Sequence, residues 1–161
     1  MEKLNVFGIG PRIGMFALPW LAITITVSIL MPQYFHFAFP RPLWIFILGI
    51  VILMAGGILW IASGKKIVEV AKEPRLLTTG PFAICRNPLY LAMLMFVIPA
   101  ISLLMNSWLI LTTSVVGYIV FKSCVKQECE EMKRFFGADY EKYCSETPEF
   151  FPFAWKRWFR K

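Results

Sequence analysis

Histidine is nearly missing from this sequence: His36 is the only one in 161 residues. The four cysteines (Cys85, Cys124, Cys129 and Cys144) contain no C-x-x-C pair. A Cys/His zinc site is therefore not expected, nor any other metal centre. The thiols read as free and reduced, near a cytoplasmic face. Acidic residues are also few, 10 against 17 lysines and arginines, which leaves a net charge of +7. Such an excess can mark a nucleic-acid binder. Here the basic residues alternate with apolar runs of membrane length, so the charge is assigned to topology and nucleic acid is not expected as a partner. No small-residue cleavage site follows a short apolar core at the N-terminus, so no removable signal peptide is expected. The glycines Gly8, Gly10 and Gly14 imitate a dinucleotide fingerprint, but the third comes one residue late and no strand precedes them. This stretch reads as a turn at the membrane interface.

What the chain has in abundance is apolar surface. Hydrophobic residues make up 58% of it and the mean hydropathy is +0.62, against about 45–50% apolar residues in soluble proteins. The expected class is a single-domain, all-α integral membrane protein. Residues 15–31 form a first span with Pro19 near its start, and Pro32 ends it. The loop 33–41 is aromatic, with Tyr34, Phe35, Phe37 and Phe39, as at a membrane interface; His36 is discounted as part of that belt. Residues 42–63 form a second span, long enough to cross about 30 Å, which Gly49, Gly56 and Gly57 thin for a neighbouring helix. The connector 64–75 is charged and reads as a solvated, partly helical face. The runs 89–105 and 108–123, joined at Asn106-Ser107, make two antiparallel helices, the first expected to kink at Pro99.

Beyond Ser123 charge returns. Val125, Cys129, Met132 and Phe136 recur at helical spacing, so an amphipathic helix is expected. Gly137 should end it, with a short helical piece over 139–144. In the tail 154–161, aromatic and basic residues alternate as in an interfacial anchor on anionic lipid.

The chain is organised around residues 76–91. Pro81 and Pro88 each remove a backbone donor and turn the preceding residue away from helix. Irregular backbone at a membrane edge persists where it is buried in protein or lines a cavity, so a ligand is expected here. Glu128 is the odd residue of the amphipathic helix. It follows Val125 by three and precedes Met132 by four, so it points along the apolar face and needs a partner. That partner is either Arg86 or Lys126, in an ion pair that closes the bundle, or a cationic or polyhydroxyl ligand. Arg86 and Tyr90 taken alone read as interface residues.

Together these residues resemble a family. Leu76-Leu77-Thr78-Thr79-Gly80-Pro81-Phe82 followed by Arg86-Asn87-Pro88-Leu89-Tyr90-Leu91 is similar to the "LVTxGPY…RHPxYLG" signature of membrane-embedded methyltransferases. These include the isoprenylcysteine carboxyl methyltransferases and the phospholipid methyltransferases. Glu128, Met132, Phe136-Gly137, Tyr140, Tyr143, Pro148 and Pro152-Phe153 resemble that family's ending. The resemblance covers residues 64–153, a cofactor-binding core behind two N-terminal spans in 1–63. It implies S-adenosylmethionine as methyl donor, held between the 76–91 stretch and a cytoplasmic helical cap. Leu76, Leu77, Gly80, Phe82, Asn87, Pro88, Leu89, Tyr90 and Glu128 are the implied cofactor-binding residues, with Arg86 and Glu128 catalytic. The acceptor would be lipophilic or lipidated and would arrive from the bilayer. Asn87 replaces the usual His, a variant associated with bacterial members and hence an inner membrane; Phe82 replaces Tyr. The carboxyl methyltransferases place a substrate-orienting Arg four residues before the helix Glu, where this chain has Cys124. Two rivals stand beside this reading: a membrane reductase of the sterol-reductase type using NADPH, and a small membrane protein without enzymatic activity.

With four spans, sixteen of the 17 lysines and arginines fall on the side that holds both termini and the motif; Arg41 alone falls on the other. Positive charge is retained in the cytoplasm. A reporter fused after Lys161 should therefore be cytoplasmic and one inserted beside Phe37 external; a periplasmic reporter at the C-terminus would reverse the orientation.

Overall fold

The computed structural model of the chain describes residues 9–37, 42–72 and 75–150. The expected lead up to Gly8, Phe39, Arg41, Glu73, the Pro152-Phe153 pair and the tail 154–161 lie outside the described residues. Most of those described are helical, and four helical stretches are long and apolar enough to cross a membrane.

Helix α1 spans Gly10–Leu30. It begins five residues before the expected start because Pro11 fits the first turn, where a missing N–H costs nothing. Pro19 is absorbed inside it. A single turn, α2 (Pro32–Phe35), follows. Helix α3 runs over Leu43–Lys72, so the second span and most of the charged connector are one helix. An apolar-to-polar change of side chains does not interrupt backbone hydrogen bonding, and the stretch contains no proline to do so.

After the motif, the third span runs over Pro88–Met105. It comprises α5 (Pro88–Leu91), a π-helical stretch Ala92–Val97 and α6 (Ile98–Met105). Instead of a simple proline kink, a wide i→i−5 turn precedes Pro99: the Ile98 N–H reaches the Met93 carbonyl. Asn106 then takes the left-handed conformation, φ 55°, and the chain reverses as expected. A 3₁₀ turn (Trp108–Ile110) leads into α7, Leu111–Glu146. The fourth span and the amphipathic helix are therefore continuous. Gly137 breaks α7 at φ 54°, ψ −129°, a conformation that side-chain-bearing residues avoid.

Packing pairs α1 with α7 and α3 with the third span. The α1–α7 seam is antiparallel and polar inside. Thr24 and Thr113 hydroxyls meet at 3.3 Å, Ser28 and Ser107 at 2.7 Å, and Trp20 Nε1 donates to Thr112 Oγ1 at 3.0 Å. Such pairs keep polar atoms satisfied where water is absent. The α3 seam relies on close approach: a Cβ added at Gly56 would lie 2.6 Å from Phe96 Cβ and 3.3 Å from the Val97 nitrogen. At Gly57, one residue on, an added Cβ meets nothing within 4 Å. Gly56→Ala should therefore overpack the seam and destabilise by about 1–3 kcal/mol, while Gly57→Ala should be neutral. Melting curves in detergent check this, and equal melting points for the two variants would contradict the seam.

Candidate functional site

The two prolines shape residues 80–91. Gly80 adopts φ 65° ahead of Pro81, which opens the single turn α4 (Pro81–Ile84). Cys85 is extended, and Asn87 caps the N-terminus of α5, its carbonyl accepting the Leu91 N–H at 3.0 Å. Several groups of this stretch that local turns leave unsatisfied find partners on the segment after the Gly137 break. The Arg86 N–H donates to the Pro148 carbonyl at 2.9 Å. Asn87 Nδ2 donates to the Glu149 carbonyl at 2.9 Å. Tyr143 Oη donates to the Phe82 carbonyl at 2.6 Å. Lys122 pairs with Glu149 at 2.6 Å, and Phe150 packs on Phe121 with ring centroids 5.1 Å apart. Residues 143–150 thus form a strap over the motif.

On the other flank lies the first turn of α1. Glu128 is partly buried, accepts a hydrogen bond from the Ile9 backbone and stands within electrostatic range of Tyr90. The Tyr90 hydroxyl interacts with the Gly10 backbone; a Cβ at Gly10 would be 3.4 Å from it. Arg12 Nη1 donates to Gln127 Oε1 at 2.8 Å, which ties the same turn to α7. Tyr90 also packs on Phe121, centroids 5.6 Å apart.

Arg86 is held differently from expectation. Among the described residues the ion pairs are Lys66–Glu69, Lys122–Glu149 and Lys133–Glu141. Glu128 is in none of them, so neither Arg86 nor Lys126 closes the bundle through it. Arg86 Nη1 instead donates to Cys144 Sγ at 2.8 Å. Burial alone would lower the guanidinium's pKa, but the neighbouring Cys144, Cys129 and Tyr140 raise it above its ordinary value. Cys85 is fully buried and its thiol is pushed up by that burial, with partial relief from the Asn87 backbone. Two buried side-chain atoms have no hydrogen-bond partner among the described residues: Arg86 Nε and Glu128 Oε2. Unpaired buried polar atoms are costly and rare.

The fold thus brings Tyr90 to Glu128, and places Phe82, Arg86 and Asn87 under the strap. Phe82 and Pro88 are buried, Leu76, Leu77 and Leu89 partly exposed, and Gly80 exposed. The Asn87 amide nitrogen is engaged by the strap, which gives that residue a structural duty not anticipated from the motif. The Ile9-Gly10 stretch, expected only as an interfacial turn, also reaches Glu128 and Tyr90 through backbone atoms, which have no side-chain signature. Tyr143, which stood in the motif without a role, proves to be the strap's anchor on Phe82. His36 lies at the opposite end of the bundle, beside a shallow concavity lined by Pro32, Gln33, Tyr34, Phe37 and Trp108.

No curated protein and no solved structure matches the chain. A family model described as phospholipid methyltransferase matches residues 44–139. The match takes in α3, the motif, the third span and α7 past its break, and so covers both the 76–91 stretch and Glu128. On that match, over more than half its length, the chain belongs to the phospholipid methyltransferase family.

Proposed function

We propose that the chain is an S-adenosylmethionine-dependent methyltransferase acting on a lipophilic acceptor from the bilayer. The motif end of the bundle and both termini face the cytoplasm, in a bacterial inner membrane. The cofactor-binding core is 64–153, behind two N-terminal spans. The observation that carries this reading is the pair of unpartnered buried atoms, Arg86 Nε and Glu128 Oε2. One is a cationic donor and the other a carboxylate acceptor. They fit the two kinds of charge on S-adenosylmethionine, a carboxylate at one end and ammonium and sulfonium centres at the other.

When bound, the cofactor supplies an already activated methyl group. The chain's own residues then have to position and shield. Glu128 offers a carboxylate, oriented by the Ile9 N–H, and Tyr90 offers an aromatic face to a cation. Arg86 stays protonated and presents its Nε to an anion. Leu76, Leu77, Phe82, Pro88 and Leu89 supply apolar walls, and Gly80 allows backbone approach. Transfer from such a donor is an in-line displacement in which positioning supplies much of the rate. Cys124 brings no charge to the position where the carboxyl methyltransferases carry Arg, so the acceptor is not expected to be a carboxylate-bearing prenylcysteine.

Two measurements test the reading. In Glu128→Gln the shape is kept and the charge removed. A charge-assisted hydrogen bond contributes roughly 1.5–3 kcal/mol, so the Kd for S-adenosylmethionine should rise about ten- to a hundredfold. The melting point without cofactor should not fall, because no buried cation is stranded. Unchanged affinity with a lowered melting point would remove Glu128 from the site, and wild-type protein that bound NADPH in place of S-adenosylmethionine would favour the reductase. Turnover is the second measurement: farnesylated cysteine should be a poor acceptor, and robust methylation of it would show that another cation, such as Arg86, replaces the missing Arg.

A further inference from the structure

Three of the four cysteines surround the Arg86 guanidinium and the strap, and two of them share a partner. Tyr140 Oη donates to Cys129 Sγ at 3.4 Å, and Cys144, one helical turn after Tyr140, stands within electrostatic range of the same hydroxyl. Changing the χ1 rotamer of a cysteine swings its sulfur by roughly 3 Å, so two thiols held beside one phenol can approach each other without unfolding a helix. The Gly137 break is what makes this meeting happen, since it folds the second part of α7 back towards the first. Cys129 and Cys144 are both partly exposed. Cys144 also has a guanidinium donor at 2.8 Å, and an electropositive, accessible setting is where thiols react. The other two cysteines are placed differently. Cys85 is 0% exposed, and Cys124 lies five residues before Cys129 on the same helix, on another face.

We propose that Cys129 and Cys144 are a modification site, a dithiol that a hydroperoxide converts to a disulfide across the Gly137 break. In the first step one thiol sulfur attacks the O–O bond of hydrogen peroxide, giving a sulfenic acid and one water. In the second, the other thiol attacks that sulfur and expels a second water. Two thiols are oxidised by two electrons and one peroxide is reduced. A dithiol reductant reverses the change by exchange. The bond takes the Cys144 sulfur away from Arg86, so oxidation state is coupled to how that cation is held. The proposal does not depend on the identity of the enzyme's cofactor or acceptor.

Peptide mapping of the detergent-purified protein tests it. Trypsin cuts after Lys133, Arg134 and Lys142, so the Cys129 and Cys144 peptides separate unless linked. After treatment with hydrogen peroxide the chain should lose two hydrogens in intact mass. Peptides 127–133 and 143–156 should be recovered joined, and dithiothreitol should free them. Cys129→Ser and Cys144→Ser should each abolish the link, and Cys124→Ser should retain it. A link between other cysteines or between two chains, stable oxygen addition at Cys144 without a link, or no change would each overturn the proposal. The wild-type map decides the matter even if a variant fails to fold.

Discussion

Two prolines, Pro81 at the start and Pro88 at the end of the 80–88 turn, leave backbone groups that no helix can satisfy, and the remainder of the motif end is arranged to satisfy them. At a membrane edge an unpaired carbonyl or N–H costs as much as a lost hydrogen bond. The Phe82 carbonyl and the Arg86 N–H find theirs on residues 143 and 148. For those residues to arrive, α7 must run past the motif, break and come back, which is the role of Gly137. The length of α7, the break and the strap are therefore consequences of one local need upstream. The same arrangement leaves Arg86 with its backbone tied and its Nε unpartnered.

The α1 turn on the opposite flank solves a different problem. A helix begins with N–H groups that lack intrahelical partners. At the start of α1 the Ile9 backbone bonds to Glu128, and that of Gly10 interacts with the Tyr90 hydroxyl. The first span is thus fastened at both ends: by backbone and Arg12 at the motif end, and by the Thr and Ser pairs with α7 and the turn at Ser107 towards the other.

Much of this was legible in the sequence. The four spans follow from hydropathy, and Glu128 stood out because a carboxylate on an apolar helix face violates the pattern around it. The two residues singled out as charged site members, Arg86 and Glu128, are the ones that carry the unpartnered atoms. What was not legible has a common cause. Helix continuity through 64–72 is carried by the backbone and ignores the change in side chains. The Ile9-Gly10 contacts use main-chain atoms. The Arg86 partner is a sulfur 58 positions away, where charge reasoning looks for a carboxylate. Asn87 was assigned to a ligand, yet its amide nitrogen serves the strap.

The π-helical stretch of the third span has a further meaning. Ser114 Oγ donates to the Leu94 carbonyl at 2.7 Å, so the fourth span supplies a partner inside the wide turn. A π turn amounts to one residue more than an α-helix of the same rise, and each residue of an α-helix turns the chain by about 100°. The surplus residue therefore sets the angular phase between the part of the span that carries Tyr90 and the part that packs on α3. A lineage that lost one residue between 92 and 97 would keep the length, the apolar character and the motif of this span. Tyr90 would then face a different neighbour. Single-residue gaps in this stretch, and not substitutions, are the sequence changes by which members of such a family would re-aim the site while leaving the bundle intact.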